Sequence, residues 1–317
     1  MKKGYSYVEK NDGHFDGLYA RSDHGGPERF AVLRGFRRGC ESAGARLSKA
    51  QPRADQREER AGPGRLQNEG RPHGEVCKLL RSGKPTDLSK ADRKKLVHQY
   101  KLKKVIDFRD RAEILIDGED TKLPGVTYYN FSYSMTPVNS WLRSTAGLDH
   151  LSYQLETLIA QDFDGNLISA YYGVGYRSMY LTEDGIALFR NFFRELLDAN
   201  GDTVLFHCSS GKDRAGNAAM LLLSALGVDK KTIIEDYMLT NDYFAEDRKE
   251  LYDVACRIVP DKSIAKDISY LLGVRRSYIE NSYRSIETHY GSVDGFLKKG
   301  LGLTNKDLKK LQKAYLQ

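Results

Sequence analysis

The sequence predicts an α/β fold in which helices flank a central, mostly parallel sheet and the C-terminal part is helical. Short apolar strands alternate with amphipathic helices up to about residue 226, and a run of helices follows. The 317 residues are enough for one large domain or two small ones. With 40% hydrophobic and 29% charged residues, the composition is typical of a globular protein.

Four short apolar runs predict the strands, and most of them are rich in Val, Ile, Phe or Tyr. They lie at residues 77–80, 104–108, 126–131 and 203–206. Predicted helices alternate with these runs, which is the pattern of parallel strands joined by crossover helices.

Capping residues indicate where the helices begin. Ser89 caps one helix, and Thr182 caps a longer amphipathic helix that ends near Asn200. The helix predicted at 215–226 is apolar nearly all round, which indicates that it is buried. Further helices are expected at about 229–242, 245–257, 262–272, 275–289 and 304–316.

Residues 1–75 form an atypical segment rich in Arg and Gly, and residues 76–317 are expected to form the folded domain. Between Arg21 and Arg71 the basic residues are eleven arginines and one lysine, without any Ile or Tyr. Such low apolar content predicts disorder for most of this stretch. A basic arm that binds RNA or a membrane surface, and a change of reading frame in the gene, are the alternatives.

Charge and cysteine usage limit the possible functions. The net charge of +7 suits an anionic substrate, and no nucleic-acid partner is expected. No apolar run reaches the ~18–20 residues of a membrane span, and no signal peptide is recognisable, so a cytoplasmic protein is expected. Four dispersed cysteines without a CxxC pair predict free thiols in a reducing compartment, with no structural zinc. They are Cys40, Cys77, Cys208 and Cys256.

One loop carries the chemistry: residues 207–214, between the strand at 203–206 and the buried helix. A loop of this length can turn its backbone N–H groups toward one point at a helix N-terminus, which makes an anion site. Gly211 permits the tight turn, Gly216 allows the helix to begin in close packing, and Arg214 offers a planar fork for two phosphate oxygens.

The same environment lowers the expected pKa of the Cys208 thiol, so this residue is the predicted nucleophile. Asp213 is the expected general acid for the leaving oxygen, and Asp107, at the end of a strand, is the second choice. An ion pair with Arg109 is the alternative role for Asp107. Lys212 is placed to bind a second anionic group of the substrate. Phosphate contacts are expected from Ser209, Ser210, Gly211, Lys212, Ala215 and Gly216.

The loop His-Cys-Ser-Ser-Gly-Lys-Asp-Arg-Ala-Gly resembles that of the bacterial tyrosine/serine phosphatases, which include secreted mycobacterial and listerial enzymes. The resemblance spans residues from about 77 to the C-terminus and implies a cysteine-phosphatase-like fold. It also implies a phosphocysteine intermediate, neither metal nor cofactor, and activity on phosphotyrosine, often on phosphoinositides and phosphoserine or phosphothreonine. The partners are thus phosphorylated proteins or phosphoinositides, and relatives of this family can be exported.

Two departures from the family pattern are visible. Ala215 replaces the usual Thr, whose hydroxyl would assist breakdown of the phosphocysteine, so slower turnover is expected. The family's Asn-x-Arg-Asp-x-Gly-Gly segment is not recognisable in residues 20–75. A catalytically weak phosphate-recognition module therefore remains an alternative function, as does a sulfurtransferase or an arsenate reductase. The sequence does not rank the phosphorylated substrates or indicate an oligomeric state.

Overall fold

A computed structural model describes residues 17–21, 27–33, 78–134 and 174–316. The strands are β1 Gly17–Arg21, β2 Pro27–Leu33, β3 Leu79–Ser82, β4 Leu102–Asp107, β5 Thr127–Asn130 and β6 Thr203–His207. They form one sheet in the order β1-β2-β3-β6-β4-β5. The last four strands of this order are parallel, while β1 and β2 are antiparallel additions at one edge. The prediction of a largely parallel sheet is confirmed.

Helices make up most of the rest of the described chain. They are α1 Lys90–Lys94, α2 Arg111–Asp117, α3 Glu183–Ala199, α4 Arg214–Ala225, α5 Lys230–Met238, α6 Thr240–Tyr243, α7 Ala245–Ile258, α8 Lys262–Ser269, α9 Arg276–Tyr290, α10 Val293–Gly295 and α11 Asn305–Tyr315. α1 and α10 each continue into a π-helical turn, at Lys95–Gln99 and Phe296–Gly300. Residues 174–181 are also helical. The helical C-terminal part is thus confirmed.

The alternation of side chains along the strands assigns each face of the sheet to its own core. Ile106, Val204 and Phe206 pack into the large core with the C-terminal helices. Their neighbours Val105 and Leu205 face the opposite side, in a smaller core beside α1. Because both faces are covered, the central strands are buried and apolar, as parallel strands usually are.

Capping residues begin the helices where the sequence predicts them. The Ser89 side chain accepts a hydrogen bond from the backbone N–H of Asp92, and that of Thr182 accepts one from Gly185. Asn200 ends α3 in the left-handed conformation. These caps satisfy backbone groups that helix ends leave unpaired.

Several element bounds differ from the predicted ones. β3 extends to Ser82 because the charge of Arg81, inside the strand, is paired in the core with Asp236 at 3.4 Å. The predicted helix 229–242 is divided at Leu239 into α5 and α6. α2 is not predicted from the sequence, since seven residues are too few for a clear apolar periodicity.

The N-terminal segment contributes backbone pairing to the sheet. β2 lies within the stretch for which the sequence predicts disorder, and it pairs with β3 from Phe30 opposite Ser82 to Leu33 opposite Leu79. An apolar run, Phe-Ala-Val-Leu at 30–33, distinguishes this part from its arginine-rich surroundings. Residues 34–77, with Cys40 and Cys77, lie outside the described residues, so disorder remains a prediction there.

A matched pair of leucines tests the assignment of the large core. Leu196, on α3, is completely buried, whereas Leu115, on α2, is 77% exposed. We expect Leu196→Ala to lower the free energy of unfolding by ~2–5 kcal/mol, because it leaves a cavity in packed surroundings. Leu115→Ala should change it by less than ~0.5 kcal/mol. Urea unfolding of both variants measures the difference, and equal effects would contradict this core.

Candidate active site

The loop at 207–214 leaves the sheet at the edge where the parallel strands end. His207, the last residue of β6, lies between Ser82 of β3 and Asp107 of β4. The loop then enters the first turn of α4 at Arg214. This edge is where open α/β sheets bind ligands. The predicted strand, loop and helix unit is therefore present.

Two backbone contacts hold the loop against the end of β3. The N–H of Lys84 donates to the carbonyl oxygen of Ser209 at 3.1 Å. Gly211 has φ +70°, and a Cβ at this position would lie 2.4 Å from the Ser82 carbonyl oxygen. Both the conformation and the lack of space require glycine. The prediction of a tight turn at Gly211 is confirmed.

Arg214 is buried, and its position is fixed by four hydrogen bonds. Its two Nη atoms donate to the Glu113 carboxylate at 2.5 and 2.6 Å. Nη1 also donates to the carbonyl oxygens of Phe108, at 3.0 Å, and Tyr133, at 2.8 Å. Such a bidentate, charge-assisted arrangement fixes the plane of the guanidinium group.

The Nε atom of Arg214 is buried and has no hydrogen-bond partner among the described residues. A buried donor of this kind needs an acceptor, and an anion within the loop would supply one. Burial alone would lower the pKa of Arg214, but the hydrogen bond to Glu113 and the charges of Cys208 and Asp213 outweigh it and raise the pKa. The side chain is therefore permanently cationic and close to both other predicted catalytic groups.

Glu113 is a site residue that the sequence reasoning missed. It lies in the first turn of α2, where its side chain accepts from the backbone N–H of Asp110 and Asp110 caps the helix in return. Its carboxylate also accepts a hydrogen bond from the Ser209 hydroxyl at 2.9 Å. The Asp-x-x-Glu capping signal directly after β4 was the clue available in the sequence.

Cys208, the second residue of the loop, is a free thiol with no exposed surface. The preceding residue, His207, bonds through Nε2 to Asp120 at 2.9 Å, and its Nδ1 lies 3.2 Å from the Cys208 carbonyl oxygen. Burial would lower the pKa of His207, but the charges of Asp107 and Asp120 raise it overall. With one ring nitrogen bonded to Asp120 and the other beside the Cys208 carbonyl, His207 is placed to orient the start of the loop.

Asp107 is held in an ion pair beside the loop. Arg109 donates through Nε to both of its carboxylate oxygens at 3.1 Å, and its Nη2 reaches Asp120 at 2.7 Å. Of the two predicted roles for Asp107, the ion pair is the one that the geometry supports.

Asp107, Asp120 and His207 bring their ligand atoms within 4.8 Å of one another, as a metal site would. The donor set does not fit a metal ion, however. Arg109 already donates to both carboxylates, and the raised pKa of His207 favours its protonated form, whereas a ligand histidine must be neutral. The cluster is better described as two carboxylates held by Arg109 and His207.

Asp213 is contacted by Tyr176, which is bonded in turn to Tyr237, and the sequence placed neither tyrosine at the acid. The Tyr176 hydroxyl donates to Oδ1 of Asp213 at 2.7 Å, and the Tyr237 hydroxyl lies 2.7 Å from that of Tyr176. Asp213 precedes α4, but its side chain makes no capping hydrogen bond to the helix. Its backbone carbonyl oxygen accepts from Asn217 instead.

The Lys212 side chain is buried, and its ammonium group donates to the carbonyl oxygens of Leu271, at 2.6 Å, and Gly273, at 3.1 Å. The structure thus connects Lys212 to the chain between α8 and α9. Its role as a ligand for a second anionic group remains a prediction.

The other predicted phosphate contacts lie in or next to the loop. Ser210 is half-buried beside a cleft, and Ala215 is fully buried in the first turn of α4. A Cβ on Gly216 would lie 3.1 Å from the Tyr237 ring, so the expected close packing at the helix start is confirmed. The effect of Ala215 on turnover remains a prediction.

Comparison with known proteins agrees with this geometry. A model of the tyrosine phosphatase family matches residues 67–317. A Cupriavidus necator protein with the provisional name of a tyrosine-protein phosphatase is 31% identical over 242 residues, 75% of this chain and 78% of the relative. The triple-specificity phosphatase PtpB of Mycobacterium tuberculosis is 31% identical over 108 residues, 32% of this chain and 39% of PtpB. A Nostoc commune tyrosine-protein phosphatase is 27% identical over 130 residues, 39% of this chain and 42% of the relative.

The fold and the loop, together with these matches, define a phosphatase. The chain belongs to the tyrosine phosphatase family, and it is an enzyme of the hydrolase class. The resemblance predicted from the loop is confirmed. Within the described residues, no helix combines the length and the apolar character that crossing a membrane requires.

The pairing of His207 with Asp120 predicts how stability depends on pH. Burial would raise the pKa of Asp120, but the charges of His207, Arg109 and Lys122 and the hydrogen bond to His207 lower it below 3.8. Burial would lower the pKa of His207, but the charges of Asp107 and Asp120 and the hydrogen bond to Asp120 raise it above 6.5. The stabilisation from Asp120 is present above pH 3.8 and is lost as the pH falls through its folded pKa. That from His207 is complete below pH 6.5 and is lost as the pH rises through its folded pKa.

Thermal unfolding across this range provides the test. The wild type should lose stability as the pH rises above 6.5, and Asp120→Asn should reduce that slope because it removes one of the charges that hold the proton on His207. The exposed Asp198, on α3, supplies the control Asp198→Asn. Identical slopes in both variants would contradict the pairing.

Proposed function

We propose that this phosphatase hydrolyses phosphate monoesters through a phosphocysteine intermediate on Cys208. The Cys208 thiolate attacks phosphorus, and the bond between phosphorus and the ester oxygen breaks. Asp213 gives its proton to the leaving oxygen. Water then attacks the phosphocysteine, Asp213 accepts a proton from that water, and inorganic phosphate and the free thiolate are released.

The observation that carries this proposal is the position of Arg214. Glu113, Phe108 and Tyr133 hold its Nη atoms, while the buried Nε has no acceptor in the part of the chain that the structure describes. An incoming phosphoryl group within the loop would accept from Nε and from the backbone N–H groups of the loop. Donors that are already oriented stabilise the charge that develops in the transition state without reorganising.

Phosphotyrosine is the substrate that we propose first, with phosphoserine, phosphothreonine or phosphoinositides as further candidates. The tyrosine phosphatase family and the names of its relatives support this order. The competing function is phosphate recognition with little turnover. Ala215 favours that alternative, because the first turn of α4 lacks a hydroxyl at this position.

Hydrolysis of p-nitrophenyl phosphate in the presence of a chelator tests the proposal. We expect turnover by the wild type and its loss, by at least ~10³-fold, in Cys208→Ser, because the hydroxyl is a far weaker nucleophile than a thiolate. Cys256→Ser is the matched control, since this thiol lies on α7 and should leave activity unchanged.

The outcomes separate the candidate functions. Activity lost only in Cys208→Ser supports the phosphatase mechanism. Phosphate binding by the wild type without turnover would support a recognition module instead. With an active enzyme, a panel of phosphotyrosine, phosphoserine and phosphothreonine peptides and phosphoinositides then ranks the substrates.

A further inference from the structure

Asp213 receives a chain of two tyrosine hydroxyls. Tyr176 donates its single hydroxyl proton to Oδ1 of Asp213. The Tyr237 hydroxyl, 2.7 Å from that of Tyr176, must therefore be the donor in the bond between the two tyrosines. The chain runs from Tyr237 on α5, through Tyr176 in the helix at 174–181, to the carboxylate. Three separate parts of the chain are thus linked by two consecutive hydrogen bonds.

Packing fixes both tyrosines in this arrangement. Tyr176 has no exposed surface, and its ring contacts the edge of Tyr278 at a centroid distance of 6.1 Å. Tyr237 is 1% exposed and lies against the start of α4 at Gly216. Rings held this tightly have little rotational freedom, so the hydroxyls keep their direction toward Asp213.

The surroundings leave Asp213 in contact with both charged and neutral groups. Arg214 is the adjacent cation, and the side chain of its other neighbour, Lys212, is bonded to the chain between α8 and α9. From another element, the neutral Tyr176 hydroxyl donates to Asp213, and the Tyr237 hydroxyl is bonded to that of Tyr176. Asp236, the residue before Tyr237 on α5, is paired with Arg81.

We propose that Tyr176, supported by Tyr237, is a positioning residue that holds the Asp213 carboxyl group for proton transfer. This inference deepens the function proposed above and rests on Asp213 as the general acid. A hydrogen bond donated to the carboxylate favours its ionised form, and so helps Asp213 to release its proton to the leaving oxygen. Alignment with Tyr237 strengthens that bond, because hydrogen bonds in a chain polarise one another.

Substrates that need an acid to different degrees provide the test. p-Nitrophenolate leaves readily without protonation, whereas the phenolate of phenyl phosphate depends on it. We expect Tyr176→Phe to lower kcat/KM for phenyl phosphate about 10-fold more than for p-nitrophenyl phosphate, the effect of one lost charge-assisted hydrogen bond. The basic limb of the pH profile should move to higher pH, because the carboxylate loses a donor.

The control is Tyr315→Phe. Tyr315 is also buried, and its hydroxyl donates to the Leu196 carbonyl oxygen at 3.2 Å, in the packing between α11 and α3. The substitution Tyr315→Phe therefore removes a comparable hydrogen bond outside the site. Tyr237→Phe is the second test variant, and we expect it to lower kcat/KM selectively for phenyl phosphate by a smaller factor. If Tyr176→Phe proves unstable in thermal unfolding, Tyr237→Phe provides the test instead.

Asp213→Asn separates this inference from the function on which it rests. If that variant itself fails to affect phenyl phosphate more than p-nitrophenyl phosphate, the acid assignment is wrong and the inference is overturned with it. If Asp213→Asn shows the difference but both tyrosine variants behave like Tyr315→Phe, the inference alone is overturned. A selective loss and a shifted basic limb in Tyr176→Phe support it.

Discussion

The ion pair between Arg214 and Glu113 determines how the site can be built. A guanidinium group with 1% exposure is stable only if its charge and most of its donors are matched. Glu113 supplies the opposite charge in bidentate geometry and also accepts from Ser209, so one carboxylate joins α2 to both ends of the loop. Both Nη atoms donate to protein acceptors, whereas the buried Nε has no partner among the described residues.

The rest of the loop is held by groups that satisfy one another in the same way. On the sheet side, Arg109 and His207 balance the charges of Asp107 and Asp120. On the helical side, Tyr176 donates to Asp213 and is itself bonded to Tyr237. At Gly211 the loop backbone packs directly against Ser82 at the end of β3. An anion site held from several directions has its donors oriented before substrate arrives, which is the condition for electrostatic stabilisation of a transition state.

The sequence was sufficient for the four parallel strands and the loop because their signals are local, but not for β1 and β2 at the edge of the sheet. A strand, a glycine turn, an arginine and a buried helix lie within 24 consecutive residues, at 203–226. The residues that orient the loop are distant in the chain: Glu113 lies 101 positions from Arg214, and Tyr176 lies 37 positions from Asp213. In the sequence, helix α2 is indicated only by its capping pair, Asp110 and Glu113. A buried tyrosine gives the same sequence signal whether it packs in a core or orients a carboxylate.

Anion binding at the loop should depend most on Glu113 holding Arg214, and inhibition by inorganic phosphate measures this dependence directly. Glu113→Gln keeps the shape of the side chain but removes its charge, so the phosphate inhibition constant should rise roughly 10- to 100-fold. Glu119→Gln, at an exposed position eight residues before Thr127, is the matched control and should bind phosphate like the wild type. A folded Glu113→Gln variant with unchanged phosphate inhibition would contradict the account.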